Sequence, residues 1–235
     1  DWTENRMKYA MCFFPLIGVV MGAVLWLTAL IGENVHTLEE GSLLWAVMGT
    51  ILPLLITGGI HLDGYADTCD ALSSYGDREK KLEILKDPHC GAFAVIRLCS
   101  YFLAYFALCT AGQFTPRTGL LWTLALVLER ALSGLAVAAF PMAKNTGLAH
   151  TFASAADRKT VRSVLFGLAF ALCAALTALG GWGLALAAVL IFVRYYVISK
   201  KQFGGITGDL AGWFLQRAEL WMLAALAVSQ WGGVL

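Results

Sequence analysis

Three carboxylates stand at positions 63, 67 and 70, in the stretch Gly58-Gly59-Ile60-His61-Leu62-Asp63-Gly64-Tyr65-Ala66-Asp67-Thr68-Cys69-Asp70. The i, i+4, i+7 spacing puts Asp63, Asp67 and Asp70 on one face of a helix, within about two turns. Three like charges on one face repel one another, and a cation between them removes that repulsion. Oxygen-only ligands select hard cations such as Mg2+ or Mn2+. A metal held this way supports phosphoryl transfer by steadying the attacking and leaving oxygens. Gly58, Gly59 and Gly64 leave room for a bulky phosphate to approach the backbone. His61 lies two residues before Asp63 and is a candidate general base if the backbone bends at Gly64. The plainer readings are a solvated acidic helix end and a satisfied interfacial histidine.

Two further stretches carry candidate chemistry. Gly204-Gly205-Ile206-Thr207-Gly208-Asp209 has three glycines that let backbone N–H groups form an anion-binding concavity, and Asp209 is placed to complete a metal shell. The alternative is a turn between two helices. Lys86-Asp87-Pro88-His89-Cys90-Gly91 precedes a hydrophobic run and offers an acid, a base and a glycine at a helix entrance. Arg130 lies inside a hydrophobic segment, where it pairs either with phosphate or with an acid. Lys144 and His150 belong to a basic stretch that meets an anionic substrate or lipid headgroups; for Arg158, Lys159 and Arg162 headgroups are favoured.

The elements that must position these residues are membrane helices. The chain is 59% hydrophobic and only 14% charged, where a soluble domain carries about a quarter charged residues. Seven segments are long enough to span: 11–31, 43–60, 92–111, 118–140, 164–179, 182–199 and 210–228, the last interrupted by Arg217 and Glu219. The expected fold is all-α, a polytopic bundle of about seven helices forming a single catalytic domain over residues 1–235. The helix through Asp63 is expected to continue the second span until Ser73, Ser74 and Gly76 break it. A short amphipathic helix is expected from the N-cap Asp77 to Lys86, with Leu82 and Leu85 toward the membrane surface.

Charge sets the orientation. With the N-terminus inside, the inner segments hold Arg6, Lys8, Arg78, Lys80, Lys81, Lys86, Lys144, Arg158, Lys159, Arg162, Lys200 and Lys201, and the outer ones hold Arg117. Glu33, Glu39 and Glu40 fall outside. All the polar motifs then face the cytoplasm. The net charge of +1 says nothing about nucleic acid, and no nucleic-acid partner is expected. The six cysteines include no CxxC or CxxH pair, so neither zinc nor a redox dithiol is signalled.

The 58–70 stretch resembles the signature of the cobalamin synthase family, the adenosylcobinamide-GDP ribazoletransferases. Phe14-Pro15-Leu16-Ile17-Gly18, Leu82 to Asp87 with Gly91, Gly147-Leu148-Ala149 and Gly204 to Gly212 are similar to further family blocks in the same order. Ala149 stands where glycine is usual, Lys144 where arginine is common, and Gln216 where an acid is usual. The family's N-terminal Thr-Arg-x-Pro-like stretch is absent and the chain opens on Asp1, so residues preceding it, and a further membrane element, are expected.

The resemblance implies a reaction between adenosylcobinamide-GDP and α-ribazole, or its 5′-phosphate, giving adenosylcobalamin, or its 5′-phosphate, and GMP. It implies Mg2+ as cofactor and a prokaryotic inner membrane as location. It makes Asp63, Asp67, Asp70 and Asp209 the metal carboxylates, with His61, Asp63 and Asp67 closest to the chemistry. Gly59, Gly64, Asp87, His89, Gly91, Arg130, Lys144, Gly205, Thr207 and Gly208 are the expected substrate contacts. Two other functions compete. A CDP-alcohol phosphotransferase shares Asp63-Gly64-Tyr65-Ala66 but requires an arginine where Asp67 stands. A cation-coupled transporter predicts acids near the middle of broken membrane helices.

Overall fold

The structure is a computed structural model, and it describes residues 7–34, 43–113 and 115–233. Arg6, Glu39 and Glu40 lie outside the described residues. Among the described residues eleven α-helices follow one another: α1 Ala10–Phe13, α2 Pro15–Asn34, α3 Leu43–Thr57, α4 Ile60–Ser73, α5 Arg78–Ile84, α6 Ala92–Ala111, α7 Pro116–Ala139, α8 Leu148–Ala155, α9 Arg158–Ala178, α10 Trp182–Ile198 and α11 Gly208–Trp231. A π-helical turn, Ser199–Phe203, ends α10. No strand occurs among the described residues.

Among the described residues five helical spans are long and apolar enough to cross a membrane, or six if α3 and α4 together count as one. The seventh expected segment is α11. Its 24 residues are long enough, but Gln216, Arg217 and Glu219 keep it out of that set. Those polar residues survive because they are covered by protein. Gln216 and Glu219 are buried.

The axis of the bundle is α7, buried along nearly its whole length. Helices α2, α9 and α11 pack around it, and α10 lies behind α11. In lipid, close packing relies on small residues rather than on hydrophobic exclusion. Gly18 shows this on α2. A Cβ there would come within 2.5 Å of the Leu126 carbonyl oxygen.

One expectation is corrected. α4 does not continue α3 but turns from it by 95°. Gly58 and Gly59 both adopt positive φ, 63° and 78°, which most side chains resist. α4 is short, carries three aspartates and is not one of the five single-helix spans. It rests on α11 and α6. The short helix after it forms as expected, with Asp77 accepting a 2.9 Å hydrogen bond from Lys80 N. Leu85 is buried and Leu82 half-buried.

The loops sort to two ends. At one end Met142 bridges Ile206, Lys81 donates to Gln202 at 2.5 Å, and Arg78 lies against Gly204. At the other end Gln230 meets Gln113, Trp231 donates to the Ala111 carbonyl, and Arg117 donates to the Leu179 carbonyl. Arg117 is thus separated from Arg78, Lys81, Lys144 and their neighbours, as the charge pattern required.

Candidate active site

The site is built where α4 crosses the start of α11. Two glycines bring the helices together. A Cβ on Gly64 would come within 2.8 Å of the Asp209 Cα, and one on Gly212 within 2.7 Å of the His61 carbonyl oxygen. Any larger residue at either position forces the helices apart. This crossing sets Asp63 and Asp209, distant in sequence, on the wall of one cavity.

Thr207 caps α11. Its Oγ1 accepts from Leu210 N at 3.2 Å and donates to Asp209 Oδ2 at 3.1 Å, which fixes the carboxylate. Lys144 Nζ approaches the same oxygen at 4.0 Å. The loop carrying Lys144 is tied to the glycine-rich turn by Ile206 N to the Pro141 carbonyl, 2.8 Å, and Ala143 N to the Ile206 carbonyl, 2.9 Å. Gly205 makes this possible. A Cβ there would lie 2.5 Å from the Met142 carbonyl carbon.

The cavity has a volume of about 610 Å³. His61, Asp63, Gly64, Lys86, Lys144, Thr207, Gly208 and Asp209 supply its polar lining. His61 Nδ1 is buried without a hydrogen-bond partner among the described residues. Burial lowers the Lys144 ammonium pKa, and the nearby Asp209 opposes that effect. The carboxyl of Asp67 is pushed up to about 6, first by burial and then by the charges of Asp63, Asp209 and Asp70, with Lys144 acting the other way. Four acids therefore share one electrostatic neighbourhood. Their donor chemistry fits a hard divalent cation. The ligands are not preassembled: among the described residues no three His, Cys, Asp or Glu side chains meet as a metal-binding group.

The remaining expected site residues divide. Asp70 lies directly against Gly91, the N-cap of α6, at the opposite end of the acidic face from Asp63. Gly59 shapes the bend and is not among the cavity-lining residues. Asp87 and His89 pair with each other on the exposed loop, Asp87 Oδ1 accepting from His89 N at 2.9 Å and meeting Nδ1 at 2.7 Å. These hydrogen bonds hold the Asp87 carboxyl below its usual range. Neither residue lines the cavity.

Arg130 is the clearest departure from the expected substrate contacts. It is completely buried, paired with Glu129 and with Glu219 at 3.2 Å, and it also donates to the Leu126 carbonyl at 3.1 Å. The acid alternative therefore describes Arg130, and phosphate contact does not. Its nearest partner is the adjacent Glu129, although neighbouring residues of a helix project from different faces. A long guanidinium arm reaches round where a short side chain does not. Sequence reasoning also missed Ser133, Val137 and Phe152 as wall residues. Their helical spacing on α7 and α8 looks like ordinary core.

Fold and site together define a class: an α-helical protein with several membrane-compatible spans and a carboxylate-lined cavity at one end of the bundle. The chain belongs to the cobalamin-5-phosphate synthase family, whose model matches residues 1–227. A Lachnoclostridium phytofermentans protein named adenosylcobinamide-GDP ribazoletransferase is 48% identical over 235 residues, covering 97% of this chain and 86% of its own length. Proteins of the same name from Pseudomonas entomophila and Clostridium botulinum are 33% and 29% identical, covering 96% and 94% of this chain and 90% and 87% of their own. No solved structure matches the chain.

Proposed function

We propose that this chain is an adenosylcobinamide-GDP ribazoletransferase of a prokaryotic inner membrane, working at a cytoplasm-facing site with Mg2+. The observation that carries this reading is the meeting of Asp63 and Asp209 on one cavity wall, beside Lys144, at the end of the bundle where the basic loops gather. The names of the relatives supply the substrates.

In this reading the ribose 3′-hydroxyl oxygen of α-ribazole, or of its 5′-phosphate, attacks the phosphorus that carries adenosylcobinamide. A new P–O bond forms, the bond to the GMP phosphate oxygen breaks, and the hydroxyl proton passes to a base. Asp63, Asp67 and Asp209 would hold Mg2+, with Asp70 at the far end of the same face. The ion would supply charge neutralisation on the diphosphate oxygens. Lys144 adds a fixed cation to the same oxygens. Thr207 keeps Asp209 oriented, and the backbone at Gly208 gives phosphate a close approach. His61 lines the cavity beside Asp63, and that position makes it the candidate proton acceptor.

Acids in the middle of membrane helices, expected of a transporter, do exist here as Glu129 and Glu219. They pair with Arg130 and do not line the cavity. The test is turnover in detergent, without any gradient. Purified protein given adenosylcobinamide-GDP, α-ribazole and Mg2+ is expected to release GMP in one-to-one proportion with a new corrinoid. Well-folded protein that forms neither product defeats the proposal.

A further inference from the structure

The cavity has two unlike walls. α4 and α11 bring the acids. The opposite wall comes from the α1–α2 junction, α7 and α8, and presents Met11, Phe14, Ser133, Val137, Leu148 and Phe152. The Phe14 ring meets the His61 ring edge-on, centroids 6.2 Å apart, at the seam between the walls. Among the described residues, no charged side chain from α1, α2, α7 or α8 lines the cavity.

We propose that this apolar wall seats the flat base of the riboside, and so selects which base is joined to the corrinoid. The inference rests on the function proposed above. It follows from asking which part of either substrate matches such a wall. A diphosphate loses its hydration there without recompense. A guanine base leaves its amide and amino groups unpaired against Phe, Met and Leu, which a polar-reading site would not tolerate. The corrinoid is too large for 610 Å³. A benzimidazole has two apolar faces, and its one ring nitrogen not bonded to ribose accepts a single hydrogen bond. Ser133, 3% exposed, is the one polar residue on that wall among the described residues, and its hydroxyl supplies the single donor required. With the base so placed, the attached ribose extends from the seam at Phe14 and His61 toward Asp63, which is where its hydroxyl is needed.

Steady-state kinetics with both substrates varied tests this. Phe152→Ala is expected to raise the KM for α-ribazole about tenfold, the loss of one aromatic packing partner. Ser133→Ala, a change small enough to leave folding intact, is expected to raise it about fivefold through one lost hydrogen bond. The KM for adenosylcobinamide-GDP should stay within about twofold of wild type for both, on the same conversion. Free benzimidazole should inhibit the wild-type enzyme competitively against α-ribazole and not against the corrinoid nucleotide, which needs no variant. Equal shifts in both KM values, a shift for the corrinoid nucleotide alone, no shift in either, or benzimidazole that does not compete with α-ribazole would each overturn the assignment. Those outcomes come from an active wild type and leave the proposed reaction standing. A wild type that releases no GMP from the two substrates overturns both.

Discussion

Asp63→Asn is expected to reduce kcat by roughly 10³-fold while leaving the fold intact, which removing one charge-stabilising group at a phosphoryl centre accounts for. The fold should hold because Asp63 is exposed and, among the described residues, its side chain makes no hydrogen bond or ion pair. Its role is confined to what enters the cavity. Asp67→Asn makes an instructive contrast. It should also lose activity, yet the variant should be more stable than wild type without metal. Asp67 sits among the charges of Asp63, Asp209 and Asp70, and neutralising it relieves that repulsion. The gain is on the order of 1 kcal/mol, reduced because the carboxyl is still partly solvated. Activity and thermal unfolding measured on the same preparations check both halves. An Asp63→Asn enzyme with wild-type kcat would remove that residue from the site.

Arg130→Met is expected to damage stability rather than chemistry. The guanidinium stands between Glu129 and Glu219 in the interior of the bundle, and all three side chains are almost completely buried. Taking away this cation leaves two carboxyl groups facing each other away from water. Breaking a buried pair by removing one partner costs about 3–5 kcal/mol. The unfolding midpoint in detergent should fall steeply, or the protein should fail to accumulate. Replacing all three together, as Glu129→Leu, Arg130→Met and Glu219→Leu, should recover much of that loss, because no charge is then stranded. A single Arg130→Met variant that unfolds like wild type would show that this network contributes nothing to the fold.

The membrane helices were legible because lipid imposes one strong requirement, long apolar runs, and α6, α7, α9 and α10 meet it directly. α11 was legible by length, although its polar residues turn inward to Arg130 and the small cavity near Tyr101 and Tyr105. The acidic face of α4 was legible because carboxylate spacing is a local property. The bend before it was not, since a Gly-Gly pair allows many conformations and the crossing with α11 selects one. Which side of that crossing each acid takes was equally hidden. Asp63 faces the cavity, while Asp70 lies against Gly91. Arg130 was misassigned to phosphate because the sequence does not tell a buried cation's partner. That choice depends on Glu219, 89 residues away.

The central claim is that phosphoryl transfer runs on a divalent cation held by the acids around Asp63 and Asp209. The direct measurement is GMP release by the purified wild-type protein from adenosylcobinamide-GDP and α-ribazole, first with Mg2+, then with the metal chelated, then with Mg2+ restored. The account predicts release that stops on chelation and returns on restoration. Release at an unchanged rate in the presence of chelator would contradict it.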